Sequence, residues 1–364
     1  MHRISLRYAL CAPDEPVEDL HHPLMRLLEA IHRGGSISAA ARELKLSYRH
    51  VWGELKRWEA ELGQPLVLWV KGQRAQLSPL GDKLLWAERR ARARLTPQIE
   101  ALRGELERAF AVVFDAQALV LSLQASHDEA LPRLRERSAR AGLHLDLQFS
   151  GSIDALEALN EGRCLVAGFH LRLDADRRSA TARTYRPRLR PGRHKLIGFA
   201  QRHQGLIVAR GNPLGLHGLA DLIRPGLRFV IRPAGTGSRV LFEELCAQAG
   251  LAVHRLSSAA RTEPSHAAVA EAVASGQADA GFGIETVARL RGLDFLPLAQ
   301  ERYVLAVLAP SLEQPAVQRL MQVLRDPSWQ AELAALPGYT PERCGEVLSL
   351  RAVLPWWSYR QPRA

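Results

Sequence analysis

The chain has 364 residues, with 49 Lys and Arg against 38 Asp and Glu, and its formal net charge is +11. Its hydrophobic share of 47% excludes global disorder, and no apolar run reaches the roughly 18–20 residues needed to span a bilayer. The four cysteines lie far apart and form no CxxC pair, which excludes a zinc ribbon. We therefore expect a cytoplasmic protein of about two or three domains, with a polyanionic partner and no membrane association.

After a short lead at residues 1–20, which lacks the apolar core of a secretory signal, the chain has the pattern of three helices. Gly34-Gly35 ends the first helix, and Ser36 and Ser47 are suitable N-caps for the second and third. Gly63 ends the third helix. Apolar residues recur along that helix at spacings of four, three and four, which predicts a buried face formed by Val51, Leu55, Trp58 and Leu62.

The opposite face of the third helix is polar and basic. It carries Tyr48, Arg49, His50, Trp52, Lys56 and Arg57. A short helix, a tight turn and a second helix with such a face are typical of a helix-turn-helix, whose second helix enters the major groove of double-stranded DNA. We predict that Arg49 and His50 contact bases and that Lys56 and Arg57 contact phosphates.

Two apolar stretches at residues 66–70 and 75–77 flank a basic turn and predict a β-wing that lies on the DNA backbone through Lys71 and Arg74. Residues 21–95 contain 14 Lys and Arg and 7 Asp and Glu, so positive charge is concentrated where DNA would bind. The alternative interpretation of this region is a plain three-helix bundle with a charged surface.

Residues 34–85 resemble the winged helix-turn-helix of LysR-type regulators and, more closely, that of the molybdate-responsive ModE family. The opening Ser36-Ile37-Ser38 and the closing Leu77-Ser78-Pro79-Leu80-Gly81 match both families, and the run 47–52 is nearer to ModE. The predicted DNA-binding residues are Ser36, Ser47, Tyr48, Arg49, His50, Trp52, Lys56, Arg57, Lys71 and Arg74.

A long helix follows the wing. Ser78 is an N-cap with Pro79 at the first helical position, and Pro97 predicts a kink or a break further along. A coiled-coil seam is predicted by Leu95, Ile99, Leu102, Leu106, Ala109 and Val113. We expect residues 79–114 to join two copies into a homodimer or a higher homo-oligomer; the alternative is that the seam packs on the chain's own domains.

From about residue 119, short β-rich runs alternate with amphipathic helical segments, which predicts an α/β architecture with a largely parallel sheet. The predicted strands are 119–124, 143–149, 165–169, 196–200, 206–209, 228–231, 280–284 and 303–308. Residues 177–195 contain eight Lys and Arg and no acid, and their prolines and glycine predict a loop. A solvated loop and a contact with DNA or another subunit remain alternatives for it.

Four predicted junctions between a strand and a helix carry small hydroxyl residues or glycines. They lie near residues 126, 150, 236 and 265. Free N–H groups and the positive end of the helix dipole make such junctions suitable for anions, and ligands of open α/β sheets bind at the carboxyl ends of strands. Asp128 and Glu263 would repel an anion, so we expect them to point away or to act as caps.

Residues 118–350 resemble type II periplasmic binding proteins, most closely the binding-protein-like domains similar to molybdate and tungstate binders. The matching stretches include 126–128, 151–171, 229–239 and 265–281. The resemblance implies two lobes that close over a ligand held by hydroxyls and backbone amides. The predicted ligand-binding residues are Ser126, His127, Ser152, Thr236, Gly237, Ser238, Arg239, Ser265, His266 and Tyr303.

Together these features predict a DNA-binding transcription regulator that senses a small oxyanion similar to molybdate or tungstate, or a small carboxylate such as formate. The alternative is a small-anion-binding protein of molybdenum cofactor metabolism or transport with incidental DNA binding. GxSxG, HExxH and Walker motifs are absent, which disfavours an enzyme, and no cofactor or metal is predicted beyond the effector anion. The predicted domains are a lead (1–20), a winged helix-turn-helix (21–78), a linker helix (79–114) and an effector domain (115–364).

Overall fold

The computed structural model describes residues 22–69, 74–114, 119–173, 177–252, 254, 256 and 260–357. The chain divides into two compact units, which comprise residues 1–92 and residues 93–364. The division falls within the helix predicted as a linker. The lead at residues 1–20 and the wing residue Lys71 lie outside the described residues. None of the helices in the described part is both long and apolar enough to cross a membrane.

Three capped helices form the N-terminal unit: α1 (Pro23–Gly34), α2 (Ile37–Leu44) and α3 (Tyr48–Leu62). The Ser36 hydroxyl accepts a hydrogen bond from the Ala39 N–H at 3.0 Å, and the Ser47 hydroxyl accepts one from the His50 N–H at 3.1 Å. Gly35 ends α1 with φ 64°, a left-handed conformation that glycine adopts without a steric penalty. The predicted starts and ends of these helices are therefore confirmed.

The wing is shorter than predicted within the described residues. Strand β1 (Val67–Leu68) pairs antiparallel with β2 (Gln76–Leu77), and residues 70–73 are not described. Val51 and Leu55 of α3 are fully buried and pack with apolar residues of α1, α2 and the wing, whereas Trp58 and Leu62 are only partly buried. The predicted buried face of α3 is thus strongest at its N-terminal half.

A single helix, α4 (Pro79–Phe114), runs for 36 residues, which corresponds to about 54 Å at 1.5 Å per residue. The helix continues through Pro97, so the predicted break into two helices is wrong. Its first turn is capped by Ser78, whose hydroxyl accepts a hydrogen bond from the Gly81 N–H at 3.0 Å. Leu95 and Leu102 of the predicted seam are 38% and 50% exposed.

The C-terminal unit contains one curved mixed sheet in the order β4-β3-β5-β10-β6-β9-β7-β8. Its strands are β3 (Leu119–Ala125), β4 (Leu143–Phe149), β5 (Val166–Arg172), β6 (His194–Val208), β7 (Phe229–Ile231), β8 (Arg261–Thr262), β9 (Ala280–Ile284) and β10 (Asp294–Leu308). Strands β3, β4 and β5 are parallel and define the first lobe, and β7, β8 and β9 are parallel and define the second lobe. The long strands β6 and β10 lie between the lobes.

The expectation of a largely parallel sheet is wrong at its centre. Strands β6 and β10 pair antiparallel with each other, β10 pairs antiparallel with β5, and β6 pairs antiparallel with β9. The separate strands predicted at 196–200 and 206–209 are one 15-residue strand. Arg202 and Gln204 interrupt the apolar pattern between those two runs, yet both are buried, with Arg202 Nε and Gln204 Nε2 each donating to Glu301 inside the unit.

Helices cover both faces of this sheet. They are α5 (Ala130–Arg140), α6 (Ser152–Asn160), α7 (Ala180–Tyr185), α8 (Gly237–Gln248), α9 (His266–Ala274), α10 (Glu285–Arg289), α11 (Pro315–Arg325), α12 (Pro327–Ala334) and α13 (Leu350–Val353). Two short strands, β11 (Tyr339–Pro341) and β12 (Val347–Leu348), add to β6. Residues 177–195, predicted as a loop, contain α7 and a 3-10 turn at Arg186–Arg188, because Ala182 and Tyr185 are buried in the first lobe.

Candidate nucleic-acid interface and anion site

The predicted DNA-reading face of α3 is exposed. Tyr48, Arg49, His50 and Trp52 all lie on the surface near the N-terminus of the helix. Ser36 and Ser47 are N-caps, so their hydroxyls hold the starts of α2 and α3 in place. Because side chains near the start of a recognition helix reach base edges, this face presents suitable donors to a major groove.

The two side chains of α3 that are predicted to contact phosphates, Lys56 and Arg57, form ion pairs with acids of the same helix. Lys56 Nζ lies 2.6 Å from Glu59 Oε2, and the Arg57 guanidinium lies 2.6 Å from Glu54 Oε2. The cations are largely exposed, and exposed pairs of this kind contribute about 0–1 kcal/mol, so phosphates can compete for both cations. The side chain of Arg74 is exposed beside Gly35, where a Cβ atom would lie 3.1 Å from Arg74 Cδ.

An exposed aromatic pair extends the same surface toward the wing. The rings of Trp52 and Trp69 lie 5.7 Å apart, and Lys56 Nζ lies 4.9 Å from the centre of the Trp52 ring. Trp69 follows β1 and was not singled out from the sequence. Its contact with Trp52 joins the wing to the recognition helix.

In the C-terminal unit, the ends of β3 and β4 bring two predicted hydroxyls together. Ser126 follows β3 directly, Ser152 begins α6, and their Oγ atoms are 3.4 Å apart. Both residues are buried. The backbone of Gly237 in the second lobe approaches this pair so closely that a Cβ atom there would lie 3.3 Å from Ser152 Oγ and from the Tyr185 hydroxyl.

A second pair of predicted residues meets at the helix starts of the second lobe. Ser238 Oγ and His266 Nε2 are 3.1 Å apart, and Gln204 Nε2 of β6 donates to Ser238 Oγ at 3.0 Å. Gln204 Nε2 also donates to Glu301 Oε2 at 2.7 Å. A continuous polar network therefore runs from the second lobe to the long central strands.

The network reaches the first lobe through Arg202. This buried guanidinium hydrogen-bonds Asp128 Oδ2, and its Nε donates to Glu301 Oε2 at 3.1 Å. Asp128 also accepts from the Ala130 N–H at 2.9 Å and from the Tyr339 hydroxyl at 2.5 Å. Burial raises the pKa of Asp128, but the neighbouring His170 ring, with its Nε2 3.7 Å from Asp128 Oδ2, and the charge of Arg202 outweigh burial and lower the pKa well below its usual range.

Arg232 is a buried cation with two guanidinium nitrogens that lack a partner in the described part of the chain. It follows β7, is 6% exposed, and its Nε and Nη1 atoms have no hydrogen-bond partner among the described residues. Burial, and then the charge of Arg202, lower the pKa of Arg232 to about 10, so the side chain stays positive at neutral pH. An unpaired buried charge costs several kcal/mol, and this cost is relieved when an anion binds.

Four other buried polar atoms of this unit also lack protein partners within the described part of the chain. They are His127 Nε2, His266 Nδ1, Gln204 Oε1 and the Tyr303 hydroxyl. The Tyr303 ring stacks on His170 with centres 3.9 Å apart. We call the set Ser126, His127, Ser152, Gln204, Arg232, Ser238, His266 and Tyr303 the cleft cluster.

Three of the predicted ligand-binding residues have their polar groups engaged elsewhere. The Thr236 hydroxyl donates to the Pro233 carbonyl at 2.8 Å, and Arg239 Nε donates to Glu243 Oε1 at 2.6 Å. The Ser265 hydroxyl caps α9 and donates to the Ala93 carbonyl at 2.9 Å. Two arginines bracket the glycine loop 232–239. Arg239 is paired with Glu243, and Arg232 is the one that is buried.

Sequence reasoning missed Arg232, Arg202 and Gln204. Arg232 could have been found, because it is a charged residue placed directly at the carboxyl end of a buried strand. Arg202 and Gln204 carried no local signal, since they lie in the middle of a strand that was predicted as two. The three cysteines of the described part, Cys164, Cys246 and Cys344, are buried, and no group of three or more acidic, histidine or cysteine side chains there could hold a metal.

The buried histidines make the stability of this unit sensitive to acid. Burial lowers the pKa of His127 to about 4, with the nearby Asp128 charge opposing the shift and Arg232 adding to it. The unfolded chain takes up this proton near pH 6.5, whereas the folded chain does not, so stability is complete above pH 6.5 and is lost as the pH falls toward 4. We expect the free energy of unfolding in urea to fall by about 2 kcal/mol between pH 7 and pH 5 because of His127.

A His127→Gln variant removes this contribution and gives a flatter pH profile over the same range. Urea titrations at pH 7, 6 and 5 for both proteins make the comparison. Equal slopes against pH would contradict this assignment of the acid sensitivity to His127.

Residues 93–104 of α4, which we call the clasp segment, contact the second lobe of the same unit. Arg94 Nε and Nη2 each donate to Glu263 at 2.7 Å, and Glu263 is 0% exposed. The Ser265 hydroxyl donates to the Ala93 carbonyl next to this pair. The following residue, His266, belongs to the cleft cluster.

The clasp segment also contacts the first lobe. Arg135 of α5 donates from Nη2 to Glu100 Oε2 at 2.6 Å and from Nη1 to the Glu100 carbonyl at 3.0 Å. Gly104 lies against β4, where a Cβ atom would be 3.7 Å from the Leu147 nitrogen. One stretch of helix is therefore hydrogen-bonded to both lobes.

The N-terminal unit carries an exposed helix-turn-helix face, and the C-terminal unit carries a buried polar cluster that includes the cation of Arg232. Residues 23–82 match the family described as bacterial regulatory helix-turn-helix proteins of the lysR family, and residues 134–325 match the PBP superfamily domain. The chain belongs to the PBP superfamily and carries a LysR-type helix-turn-helix.

Two curated relatives and one solved structure illustrate these similarities. The chain is 32% identical over 202 residues to the uncharacterized protein YvgK of Bacillus subtilis (strain 168), which covers 55% of this chain and 64% of YvgK. It is 45% identical over 65 residues to the molybdenum-pterin-binding protein MopB of Rhodobacter capsulatus, covering 17% of this chain and 24% of MopB. The chain thus spans less than two thirds of either relative. A full-length BenM variant aligns with 88% of this chain and 98% of its own, with 17% identity and a TM-score of 0.43.

Proposed function

We propose that this chain is a LysR-type DNA-binding transcription regulator that senses a small oxyanion of the molybdate or tungstate type in the cleft cluster, and that binding changes its affinity for DNA. The observation that carries the proposal is Arg232, a buried cation with two unpartnered guanidinium nitrogens. An anion bound beside Arg232 supplies the missing charge and accepts those hydrogen bonds. The hydroxyls of Ser126, Ser152 and Ser238 add neutral donors from both lobes.

The arrangement of the donors favours a tetrahedral anion over a planar one. The first lobe offers Ser126 and Ser152, the second offers Arg232 and Ser238, and the central strands offer Tyr303. A tetrahedral oxyanion has an oxygen for each direction, whereas formate has only two oxygens. The similarity to MopB, which is named as a molybdenum-pterin-binding protein, supports the same class of ligand.

A thermal-shift screen of the full-length protein tests this proposal. The probes are molybdate, tungstate, sulfate, phosphate and formate, each over a range of concentrations. A true ligand at about 100 times its dissociation constant adds roughly 2.7 kcal/mol of stability and raises Tm. We expect molybdate or tungstate to do so. A rise with formate alone points to the small-carboxylate alternative, and no rise with any of the five contradicts the oxyanion proposal.

The DNA contacts are assigned to α3 and the wing. We propose that Arg49 and His50 read bases and that Lys56, Arg57 and Arg74 contact phosphates, since all five side chains are exposed on the N-terminal unit. Lys71 belongs to the same predicted set and lies outside the described residues. The positive charge of residues 21–95 supports this assignment, because binding to phosphates releases counterions.

We propose that the clasp segment couples ligand binding in the cleft cluster to DNA binding. It is bonded to Glu263 and Ser265 in the second lobe and to Arg135 in the first, so a change in the spacing of the lobes must alter at least one of these contacts. The same helix, α4, contains residues 79–92 of the N-terminal unit. We propose that the ligand acts through these contacts, by binding one arrangement of the lobes more tightly than another.

We also propose that α4 pairs with its twin in a homodimer. Leu95 and Leu102 remain 38% and 50% exposed on a helix whose seam repeats every three or four residues. Burying exposed leucines against a second copy is favourable by about 25 cal/mol per Å² of apolar surface. Sedimentation equilibrium at DNA-binding concentrations should give the mass of two chains or more, and the mass of one chain would contradict dimerisation.

A further inference from the structure

One basic surface of the C-terminal unit is not used by the proposed cleft. It comprises the exposed side chains Arg177, Arg178, Arg183, Arg186, Arg190 and Arg193, which we call the arginine face. The segment beneath it is anchored, because Thr181, Ala182, Tyr185 and Leu189 are buried. The arginines therefore project from a fixed scaffold formed by α7 and the 3-10 turn that follows it.

The acids next to the arginine face are already engaged. Glu157 pairs with Arg188 at 2.7 Å, and Glu244 is buried and accepts hydrogen bonds from the backbone and hydroxyl of Thr181. Asp174 and Asp176 precede the face and fall within residues 174–176, which are not described. Among residues 177–195, the sequence contains eight cations and no acid.

Two of these arginines are held in place, and they border a cavity. Arg183 Nη1 donates to the Arg178 carbonyl at 2.7 Å, and the Arg186 guanidinium lies 5.9 Å from the Trp357 ring centre. An open cavity of about 400 Å³ is lined by Arg177, Ala182, Arg183, Arg186 and Pro187. Three arginines line this cavity, and a guanidinium group can bind phosphate oxygens through two parallel hydrogen bonds.

We propose that the arginine face binds the phosphate backbone of DNA beyond the stretch that the helix-turn-helix reads. The chain has one DNA-reading surface already, so a second cationic surface on the same chain meets DNA at a high effective concentration. Guanidinium groups bind phosphates with release of counterions, whatever the base sequence. The inference rests on DNA binding by the N-terminal unit and is independent of which effector occupies the cleft.

The test compares the salt dependence of DNA binding on two fragment lengths. The full-length protein and the triple variant Arg177→Gln, Arg183→Gln, Arg186→Gln are titrated by fluorescence anisotropy onto fragments of about 25 and about 80 base pairs, at about 50 to 300 mM salt. On the long fragment, we expect the slope of log K against log salt to be shallower by about 2 to 3 for the triple variant, because each lost phosphate contact removes about 0.9. On the short fragment, we expect equal slopes.

A matched variant controls for net charge alone. Arg140, Arg210 and Arg319 are exposed arginines elsewhere in the same unit, and the variant Arg140→Gln, Arg210→Gln, Arg319→Gln removes the same three charges. We expect it to follow the wild-type slope on both fragments. The inference is overturned if the first triple variant binds the long fragment as wild type does, or if the control variant loses as much slope. Failure of the wild type to bind either fragment instead refutes the assignment of DNA contacts to α3.

Discussion

Replacing Arg232 with methionine should abolish the rise in Tm caused by the oxyanion and, at the same time, raise the Tm of the ligand-free protein. The guanidinium is 6% exposed and two of its nitrogens lack a partner in the described chain, so the ligand-free protein bears the cost of an uncompensated buried charge. Methionine fills similar space without that charge, which should add about 1–3 kcal/mol of stability. The roughly 2.7 kcal/mol that a ligand adds at about 100 times its dissociation constant should then be lost.

Arg239 provides the matched control for this experiment. It lies on the same glycine loop and start of α8, but its Nε donates to Glu243 at 2.6 Å. Arg239→Met should therefore keep the ligand-dependent rise in Tm and should not stabilise the ligand-free protein. A variant Arg232→Met that still responds fully to the oxyanion would show that the anion binds elsewhere.

Removing the ion pair between Arg94 of the clasp segment and Glu263 should uncouple oxyanion binding from DNA affinity. In the double variant Arg94→Gln, Glu263→Gln, both partners are neutral, so no charge is left buried when the ion pair is removed. We expect the oxyanion to bind this variant nearly as tightly as wild type, because neither residue belongs to the cleft cluster. We expect its effect on DNA affinity to fall toward none, from the 5- to 150-fold that is typical of coupled sites.

The single variant Arg94→Gln shows why both partners should be replaced. Glu263 is 0% exposed, and its next basic neighbour, Arg261, has its Nε 3.6 Å away. Removing Arg94 alone should cost about 2 kcal/mol, a value reduced from that of a fully buried pair because Arg94 is 41% exposed. Arg137→Gln, which breaks a pair with Asp326 of the same unit, is the control that should leave coupling intact. A double variant that retains full coupling would exclude the clasp segment as the route.

The helices of the N-terminal unit were predictable because their limits depend on local chemistry. Ser36 and Ser47 cap α2 and α3 through their own hydroxyls, and Gly35 and Gly63 end α1 and α3 in the left-handed region. Such interactions span three or four residues, so they can be read directly from the chain. The strands β4 and β9 were likewise predicted at their observed limits, since β4 alternates apolar and polar residues and β9 is a short apolar run.

The long central strands could not be predicted in the same way. Arg202 and Gln204 look like surface residues in the sequence, and only their partners Asp128 and Glu301, about 70 to 100 positions away, explain their burial. Arg232 was missed although it directly follows the buried strand β7, because the glycine loop after it favoured Arg239 as the ligand-binding cation. Asp128 is held by Arg202, Tyr339 and the start of α5, so its charge is balanced inside the unit.

One chain is expected both to bind DNA and to let a small oxyanion change that binding. Fluorescence anisotropy with a fragment from the protein's own promoter region tests it directly, with and without the oxyanion that stabilises the protein most. We expect the dissociation constant for DNA to change by about 5- to 150-fold when the anion is present. The variant Arg49→Ala should bind DNA more weakly in both conditions. The same dissociation constant with and without a saturating anion would contradict it.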